Sequence, residues 1–308
     1  ETELQRNQAV KLIQGNASNY YNDLREKLIK SLSYIEAKID FAEDDLPEKV
    51  LKEVQNSIKE IHKDIHKIIE DNKIGEKIRD GFRVSITGEV NAGKSSLLNL
   101  IAKRDVAIVS DEAGTTRDVI ESYLNIDGYP VILADTAGIR DAKNEVEKKG
   151  ISLALGKSKE ADLNIVVIDN SSKSINNEIK KIINKDTIVL LNKSDVQNKQ
   201  NHKFDADTVL ASVKENKNID NLIKKIKEKL SKKFTSNNST LITRERHRLK
   251  LNECLKEIDK FLKKDQSKDL ELAAEDLRMA TRHLGSIIGK VDVEEILGSI
   301  FNDFCIGK

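Results

Sequence analysis

The sequence has little cysteine, little net charge and no long apolar run. Its two cysteines, Cys254 and Cys305, lie too far apart for a CxxC metal site, and they exclude a disulfide framework. The 53 Lys and Arg residues balance 52 Asp and Glu residues, so the net charge of +1 gives no global argument for binding nucleic acid or a membrane surface. No apolar stretch approaches the ~20 residues that span a bilayer. These features predict a cytoplasmic protein that is not a membrane protein.

Two regions of the chain have apolar residues at helical spacing. Residues 1–80 include a seam from Leu51 to Ile68 whose steps alternate between three and four, and such a seam needs partner helices. Residues 235–308 are helical again, with one face formed by Leu249, Cys254, Leu255, Ile258 and Leu262. We therefore predict two halves of one all-α helical-bundle domain, and expect the second half to supply partners for the seam.

The region between them, residues 81–234, has a different pattern of apolar residues. Short β-branched runs such as "RVSITG", "PVILAD", "LNIVVID" and "TIVLLN" are mostly separated by helical stretches, which indicates a parallel sheet with crossover helices. The Asp127-Gly128 pair predicts one hairpin turn. The sequence thus predicts an α/β domain, with a mostly parallel sheet and flanking helices, inserted into the helical domain.

The stretch "GEVNAGKS", residues 88–95, fits the pattern of a phosphate-binding loop. It lies between a predicted strand and a predicted helix, where free backbone N–H groups and the helix N-terminus can cradle phosphates. Lys94 would reach the β- and γ-phosphate oxygens, and Ser95 would ligate Mg²⁺. A glycine turn before an ordinary helix is the alternative for a single match, but further motifs follow in the order expected of a GTPase.

Those motifs favour GTP over ATP. Asp135 ends a strand and would hold Mg²⁺ through water, while Asp195 can accept hydrogen bonds from guanine N1–H and the exocyclic amine, a donor pair that adenine lacks. The sequence therefore predicts a P-loop GTPase domain. Its predicted GTP-binding residues are Asn91, Ala92, Gly93, Lys94, Ser95, Ser96, Gly114, Thr115, Thr116, Asp135, Thr136, Ala137, Gly138, Asn192, Lys193, Asp195, Ser212, Val213 and Lys214.

The residue that follows the DTAG motif, residues 135–138, indicates how the chain could hydrolyse GTP. Ras-type enzymes use a Gln there to orient the attacking water, and Ile139 cannot do this. Either hydrolysis is slow or another group does the work. The polar candidates downstream are Arg140, Asp141, Glu145 and Glu147.

Several segments together resemble the family of tRNA-modifying GTPases called MnmE, or TrmE, over essentially the whole chain. They include "YIEAKIDFAEDDLP", "DEAGTTRD", "DTAGIRDAKNEVEKKGI", "ELAAEDLRMATRHLG" and the terminal "ILGSIFNDFCIGK". The family joins a folate-binding N-terminal domain to a split helical domain with an inserted G domain. The only methionine is Met279 and residue 1 is Glu, so we expect a fragment that lacks the folate-binding domain.

The resemblance implies an activity and a set of partners. Family members dimerise and act with a FAD-dependent partner, MnmG or GidA, to place a carboxymethylaminomethyl-type group on the wobble uridine of certain tRNAs. The implied cofactors are the substrate GTP, Mg²⁺, K⁺ and, in the full-length protein, a one-carbon tetrahydrofolate.

The resemblance also implies roles for individual residues. Thr116 joins Ser95 and Asp135 as a Mg²⁺ ligand, Glu147 is the catalytic residue of the second switch, and Lys308 lies near the folate. Cys305 would serve the modification chemistry. The K⁺ contributors are Asn91, Ser110, Glu112 and Thr115, and the loop that binds K⁺ and GTP also contains Asp111 and Ala113. Where the family has Pro before the Asn, this chain has Val90.

Two other functions fit parts of the sequence. A ribosome-assembly GTPase shares the G motifs, but no KH-like GXXG segment and no second G domain is visible. A non-catalytic helical scaffold with a degenerate G domain is a second alternative, and the intact Lys94, Asp135 and Asp195 argue against it.

Overall fold

The computed structural model describes residues 2–40, 48–71, 73–104, 121–135, 156, 158–196, 203–234, 241–265 and 269–290. Within these residues, the helices are α1 Glu3–Ile13, α2 Asn16–Asp40, α3 Glu48–Ile69, α4 Ile74–Asp80, α5 Lys94–Arg104, α6 Asn177–Lys180, α7 Ile219–Lys233, α8 Glu245–Lys263 and α9 Leu270–Ile288. The strands are β1 Phe82–Gly88, β2 Glu121–Ile126, β3 Tyr129–Asp135, β4 Leu163–Asp169, β5 Ile188–Asn192 and β6 Asp207–Leu210.

The chain divides into two compact units. One contains residues 1–7 and 77–235, and the other contains residues 8–76 and 236–308. The first seven residues, which the sequence groups with the helical region, are held in the first unit because Leu4 N–H donates to the Gly128 carbonyl. The domain boundaries at residues 80 and 234 stay a prediction.

The first unit is built on one six-stranded sheet. The strand order is β2-β3-β1-β4-β5-β6, and every neighbouring pair is parallel except β2 with β3. β1, β4 and β5 are central and almost entirely buried, which explains their continuous apolar runs. The predicted mostly parallel sheet with flanking helices is confirmed, with α5 packed on β1 and β3, and α7 on β4, β5 and β6.

The Asp127-Gly128 turn forms as predicted and joins the antiparallel strands β2 and β3. Both residues have positive φ, +50° at Asp127 and +92° at Gly128, as a two-residue type I′ turn requires. β6 was not predicted from the sequence, because two of its four residues, Asp207 and Thr208, are polar.

The second unit is a helical bundle with one continuous core. α3 buries Val54, Ile58, Ile61, Ile65 and Ile68, each at most 2 % exposed, so the predicted seam is confirmed. The seam packs against α2 and α8 and shares one core with α2, α8 and α9, whose buried residues include Leu28, Leu32, Leu251, Ile258, Phe261 and Leu277. α8 thus supplies the partner that the seam was predicted to need.

The face predicted for α8 is wrong at one position. Leu249 is 56 % exposed, whereas Leu251 is fully buried. Cys254 and Ile258 continue the buried row at steps of three and four, with Leu255 and Leu262 at its margin. Burial raises the pKa of the Cys254 thiol to about 12, so this thiol stays protonated and acts as a small apolar core residue.

A buried ion cluster fixes the corner between α3 and α4. Arg248 donates to both oxygens of Glu76, to Asp71 Oδ1 at 2.8 Å and to the Ile69 carbonyl. All three charged side chains are at most 10 % exposed. This cluster joins the start of α8 to the end of α3 and the start of α4 within the second unit.

Candidate nucleotide-binding site

The loops that follow β1, β4 and β5 meet at the carboxyl edge of the sheet. The strands are parallel neighbours, Gly88 pairs with Val167, and Asp169 pairs with Asn192. The loop after β6 joins them because Ser194 N–H donates to the Ala211 carbonyl at 3.1 Å. Ligands of open α/β sheets bind at this edge, and it is where the predicted P-loop meets residues 192–195 and 212–214, called the base motif here because they are predicted to bind the guanine base.

The P-loop turns sharply at residues 89–92. Ala92 N–H donates to the Glu89 carbonyl at 3.3 Å, and of the two central residues only Asn91 has a positive φ, +62°. These are the features of a type II turn, in which Asn tolerates the third position. Val90, at the second position, is 68 % exposed.

Glycine is required at both ends of this loop. Gly88 has φ +150°, and a Cβ there would overlap the Val167 carbonyl. Gly93 has φ +103°, and a Cβ there would overlap the side-chain amide of Asn192. The loop can therefore lie against β4 and β5 only because these two side chains are missing.

The P-loop leads directly into α5, which begins at Lys94. The first N–H groups of a helix have no intrahelical partner and carry its positive dipole end, so this terminus favours an anion. Ser95 and Ser96 are exposed in the first turn. Lys94 Nζ donates to the Glu89 carbonyl at 2.7 Å and so lies over the P-loop.

Asn192 links the P-loop to the base motif. Its Nδ2 donates to the Ala92 carbonyl at 2.8 Å, and its Oδ1 accepts from Val213 N–H at 3.0 Å. Asn192 is 3 % exposed, so both bonds form away from water and hold their partners firmly. One amide therefore brings together three segments that are far apart in the sequence.

A hydrogen bond from Ser212 holds the carboxylate of Asp195 in place. Ser212 Oγ donates to Asp195 Oδ1 at 2.6 Å, and Ser212 itself is fully buried. The hydrogen bond from Ser212 holds the pKa of Asp195 below its ordinary value, with smaller contributions from the charges of Lys214 and Lys193. The exposed carboxylate therefore stays ionised and able to accept hydrogen bonds throughout the neutral range.

Lys193 reaches back to the end of β4. Its Nζ donates to Asp169 Oδ2 at 2.6 Å, while Asp169 Oδ1 accepts from Ser171 N–H at 2.9 Å and Ser171 Oγ at 2.6 Å. Desolvation raises the pKa of Asp169, but the hydrogen bonds from Lys193 and Ser171 outweigh it and the pKa lies below its ordinary value. Asp169 is therefore a carboxylate that pairs with Lys193.

Asp169, Ser171 and Glu89 were not predicted from the sequence. The available signal was the Asp that closes the apolar run "LNIVVID" on β4, the strand between β1, which leads into the P-loop, and β5, which ends at Asn192. Glu89 joins the site by accepting from Asn176 N–H at 2.6 Å, which links the P-loop to the start of α6. Nothing in the local sequence pattern indicates that contact.

Many of the predicted site residues lie outside the described residues. Of the DTAG motif, only the backbone of Asp135 is described, at the end of β3. The predicted residues outside the described ranges are Ser110, Asp111, Glu112, Ala113, Gly114, Thr115, Thr116, Thr136, Ala137, Gly138, Arg140, Asp141, Glu145, Glu147, Cys305 and Lys308.

The described residues contain neither a cluster of metal ligands nor a helix able to span a membrane. They form no group of three or more His, Cys, Asp or Glu side chains able to hold a metal ion. None of the helices in the described ranges is both long and apolar enough to cross a membrane.

Comparison with known proteins identifies relatives along the whole chain. A sequence model described as the MnmE helical domain matches residues 1–305. A protein of Pelagibacter ubique (strain HTCC1062) named tRNA modification GTPase MnmE is 56 % identical, over 100 % of this chain and 70 % of its own length. A Rickettsia bellii (strain RML369-C) protein of the same name is 42 % identical with the same coverage.

A solved structure, the G domain of the T. maritima FeoB iron transporter, shares 23 % identity. It covers 48 % of this chain and 98 % of its own, with a TM-score of 0.36.

Proposed function

Since this chain belongs to the MnmE family of tRNA modification GTPases, we propose that it binds and hydrolyses GTP at the carboxyl edge of its sheet. One observation carries the proposal: Asn192 joins the P-loop to the base motif while Ser212 holds the ionised Asp195 beside it. The α5 N-terminus and Lys94 would bind the phosphates, and Asp195 would pair with guanine. The family relation favours tRNA modification over ribosome assembly or a non-catalytic scaffold.

The guanine assignment is tested by changing the base contact. Asp195→Asn should weaken the binding of GTP and strengthen the binding of xanthosine triphosphate, whose C2 oxygen accepts a hydrogen bond from the new amide. Asp195→Ala is the matched control, because it loses the carboxylate without gaining a donor. Equal binding of ATP and GTP by the unmodified chain would refute the assignment.

The described residues fit the two cations that the proposal includes. Asn91 and Ser95 offer an amide oxygen and a hydroxyl, the hard oxygen donors that Mg²⁺ and K⁺ prefer, and both are exposed beside the P-loop. Ser95, with Thr116 and Asp135 through water, would hold Mg²⁺; Asn91, with Ser110, Glu112 and Thr115, would hold K⁺. These ions supply positive charge where negative charge develops on the phosphates.

Hydrolysis is proposed to depend on K⁺ and on dimerisation of the G domain. Asn91→Gly is the informative variant, because it removes the amide oxygen while glycine keeps the positive φ of this position. It should bind GTP and lose the difference between KCl and NaCl. A wild-type rate that is equal in Na⁺ and K⁺, or that does not change with protein concentration, would contradict the proposal.

The catalytic residues of the proposal lie outside the described ranges. Glu147 would orient the attacking water, with Arg140 as the next candidate, so Glu147→Ala should bind GTP normally and lose most of its turnover. Cys305 and Lys308 would serve the tRNA modification and the bound folate. Cys305→Ser should therefore hydrolyse GTP normally and abolish modification of the wobble uridine in the full-length protein.

The remaining parts of the proposal rest on the family relation. They are a homodimer, a FAD-dependent partner of the MnmG type, tRNA as the substrate of the modification, and a cytoplasmic location. The inserted arrangement, with helical residues 1–80 and 235–308 around a G domain at 81–234, belongs to the same proposal. Co-purification of the full-length protein with the FAD-dependent partner and tRNA would test the assembly.

A further inference from the structure

The side chain of Lys193 is fixed at both of its ends. Its backbone has φ +64° and lies between Asn192, whose amide is buried in two hydrogen bonds, and Ser194, whose N–H donates to Ala211. Its ammonium donates to Asp169 at 2.6 Å. The aliphatic stem of Lys193 therefore runs across the carboxyl edge from the end of β5 to the end of β4.

Asp169 is in turn anchored independently of Lys193. Its other oxygen accepts two hydrogen bonds from Ser171, one from the backbone and one from the hydroxyl. The Asp169 side chain is 23 % exposed and that of Lys193 is 35 % exposed. An ion pair with one fully anchored partner and limited exposure loses little side-chain entropy, so it holds its geometry better than a typical surface pair.

A fixed lysine stem provides a flat apolar strip. Lysine commonly packs its methylene groups on apolar surface while its charged end stays polar, and Lys193 stands two residues before Asp195, the residue proposed to pair with the edge of the base. A planar base that hydrogen-bonds to Asp195 needs an apolar support for its face. The pinned stem is suited to supply it.

We infer that Asp169 is a positioning residue for guanine recognition, which holds Lys193 extended so that its stem supports the face of the base. This inference rests on the proposed binding of guanine nucleotides at this edge. Asp169 does not contact the nucleotide in this role; it acts through Lys193. The Asp169–Lys193 pair therefore raises the affinity for the base and does not raise the affinity for the phosphates.

A different role for Asp169 makes the opposite prediction. If the carboxylate served only to neutralise the Lys193 ammonium, its removal would free a positive charge beside the P-loop. Binding of every phosphate compound would then tighten, whether or not it carried a base. Comparing GDP with pyrophosphate separates the two roles.

The experiment measures the affinities of the folded chain for GDP and for pyrophosphate by calorimetry. Asp169→Asn should lower the affinity for GDP about tenfold, the loss typical of a charged hydrogen bond. It should change the affinity for pyrophosphate by less than about twofold. Ser174→Ala is the matched control: it removes an exposed hydroxyl from the loop after β4, leaves the Asp169–Lys193 pair in place and should change neither affinity by more than about twofold.

Lys193→Met supplies a second variant that does not depend on the folding of Asp169→Asn. It keeps an apolar stem but has no ammonium to pair with Asp169, so its affinity for GDP should fall as far as that of Asp169→Asn. The double variant should have the same affinity for GDP as Lys193→Met alone. Equal losses for GDP and pyrophosphate, or tighter binding of both, would overturn the inference. A wild-type chain that fails to bind GDP would instead overturn the proposed function.

Discussion

At the scale of single residues, the site depends on backbone conformations that few side chains allow. Asn91 and Lys193 have positive φ, and Gly88 and Gly93 leave no room for a Cβ. These requirements were visible only in part from the sequence. The glycines belong to a recognisable pattern, whereas the positive φ of Lys193 follows from contacts that no local pattern encodes.

Val90→Pro should stabilise the nucleotide-free sheet unit. Val90 is the exposed second residue of a type II turn, where proline is favoured, and the substitution restricts the unfolded chain. We expect the free energy of unfolding to rise by about 0.4–1 kcal/mol, measured by denaturant titration.

The control lies one residue further along the same turn. Asn91→Pro demands φ near −65° at a position that has +62°, so it should destabilise the unit. Val90→Pro behaving like Asn91→Pro would show that the turn is not of type II.

Ser212→Ala should shift the pH dependence of GDP binding upwards. The bond from Ser212 lowers the pKa of Asp195, so the guanine-pairing carboxylate persists as the pH falls until that lowered pKa is reached. Without the hydroxyl, the pKa of Asp195 rises and the carboxylate protonates at a higher pH.

The measurements are the carboxyl titration of Asp195 by NMR and the affinity for GDP across the acid range. Ser171→Ala serves as the comparison, because its hydroxyl bonds Asp169 and not Asp195. An unchanged titration of Asp195 in Ser212→Ala would mean that the 2.6 Å bond does not set its pKa.

At the scale of elements, continuous apolar runs and regular seams were the reliable signals. β1, β4 and β5 were predicted because strands buried on both faces are apolar throughout, and α3 because its seam is regular. β6 was missed because an edge strand of four residues has no such run. For α8, several apolar residues lie close together, and only the packing of the bundle selects the buried ones.

Leu251 and Leu249 should therefore differ sharply in their contribution to stability. Leu251→Ala leaves a cavity in the helical core and should lower the free energy of unfolding by roughly 2–5 kcal/mol. Leu249→Ala, two residues earlier on the same helix, should change it by less than about 0.5 kcal/mol. Chemical denaturation of the two variants measures both values, and similar losses would place Leu249 in the core after all.

At the scale of the whole molecule, the two compact units have separate cores. The P-loop and residues 192–195 and 212–214, which are the described parts of the proposed nucleotide site, lie in the unit that contains the sheet. The sequence indicated this division because apolar residues at helical spacing give way to short β-branched runs, but it could not indicate that residues 1–7 join the sheet unit. That assignment depends on a contact with the Gly128 turn, more than 100 positions away in the chain.

GDP should protect the sheet unit selectively. Saturating ligand stabilises the state that binds it, by about 2.7 kcal/mol at a concentration 100 times the dissociation constant. Amide hydrogen exchange should therefore slow in β1, β4 and β5, with little change in the buried helices α3 and α8. Equal protection of both units would show that binding is coupled to the helical core.

The discontinuous helical core has a consequence for the order in which the protein is made. α2 and α3 leave the ribosome before residues 77–235, and the helices that complete their core follow only after that stretch. At roughly 5–20 residues per second, this interval lasts on the order of 8–30 s. During that time the apolar seam of α3 is made and its partner α8 is not. Nascent chains of this protein should therefore be prominent clients of chaperones that bind at the ribosomal exit.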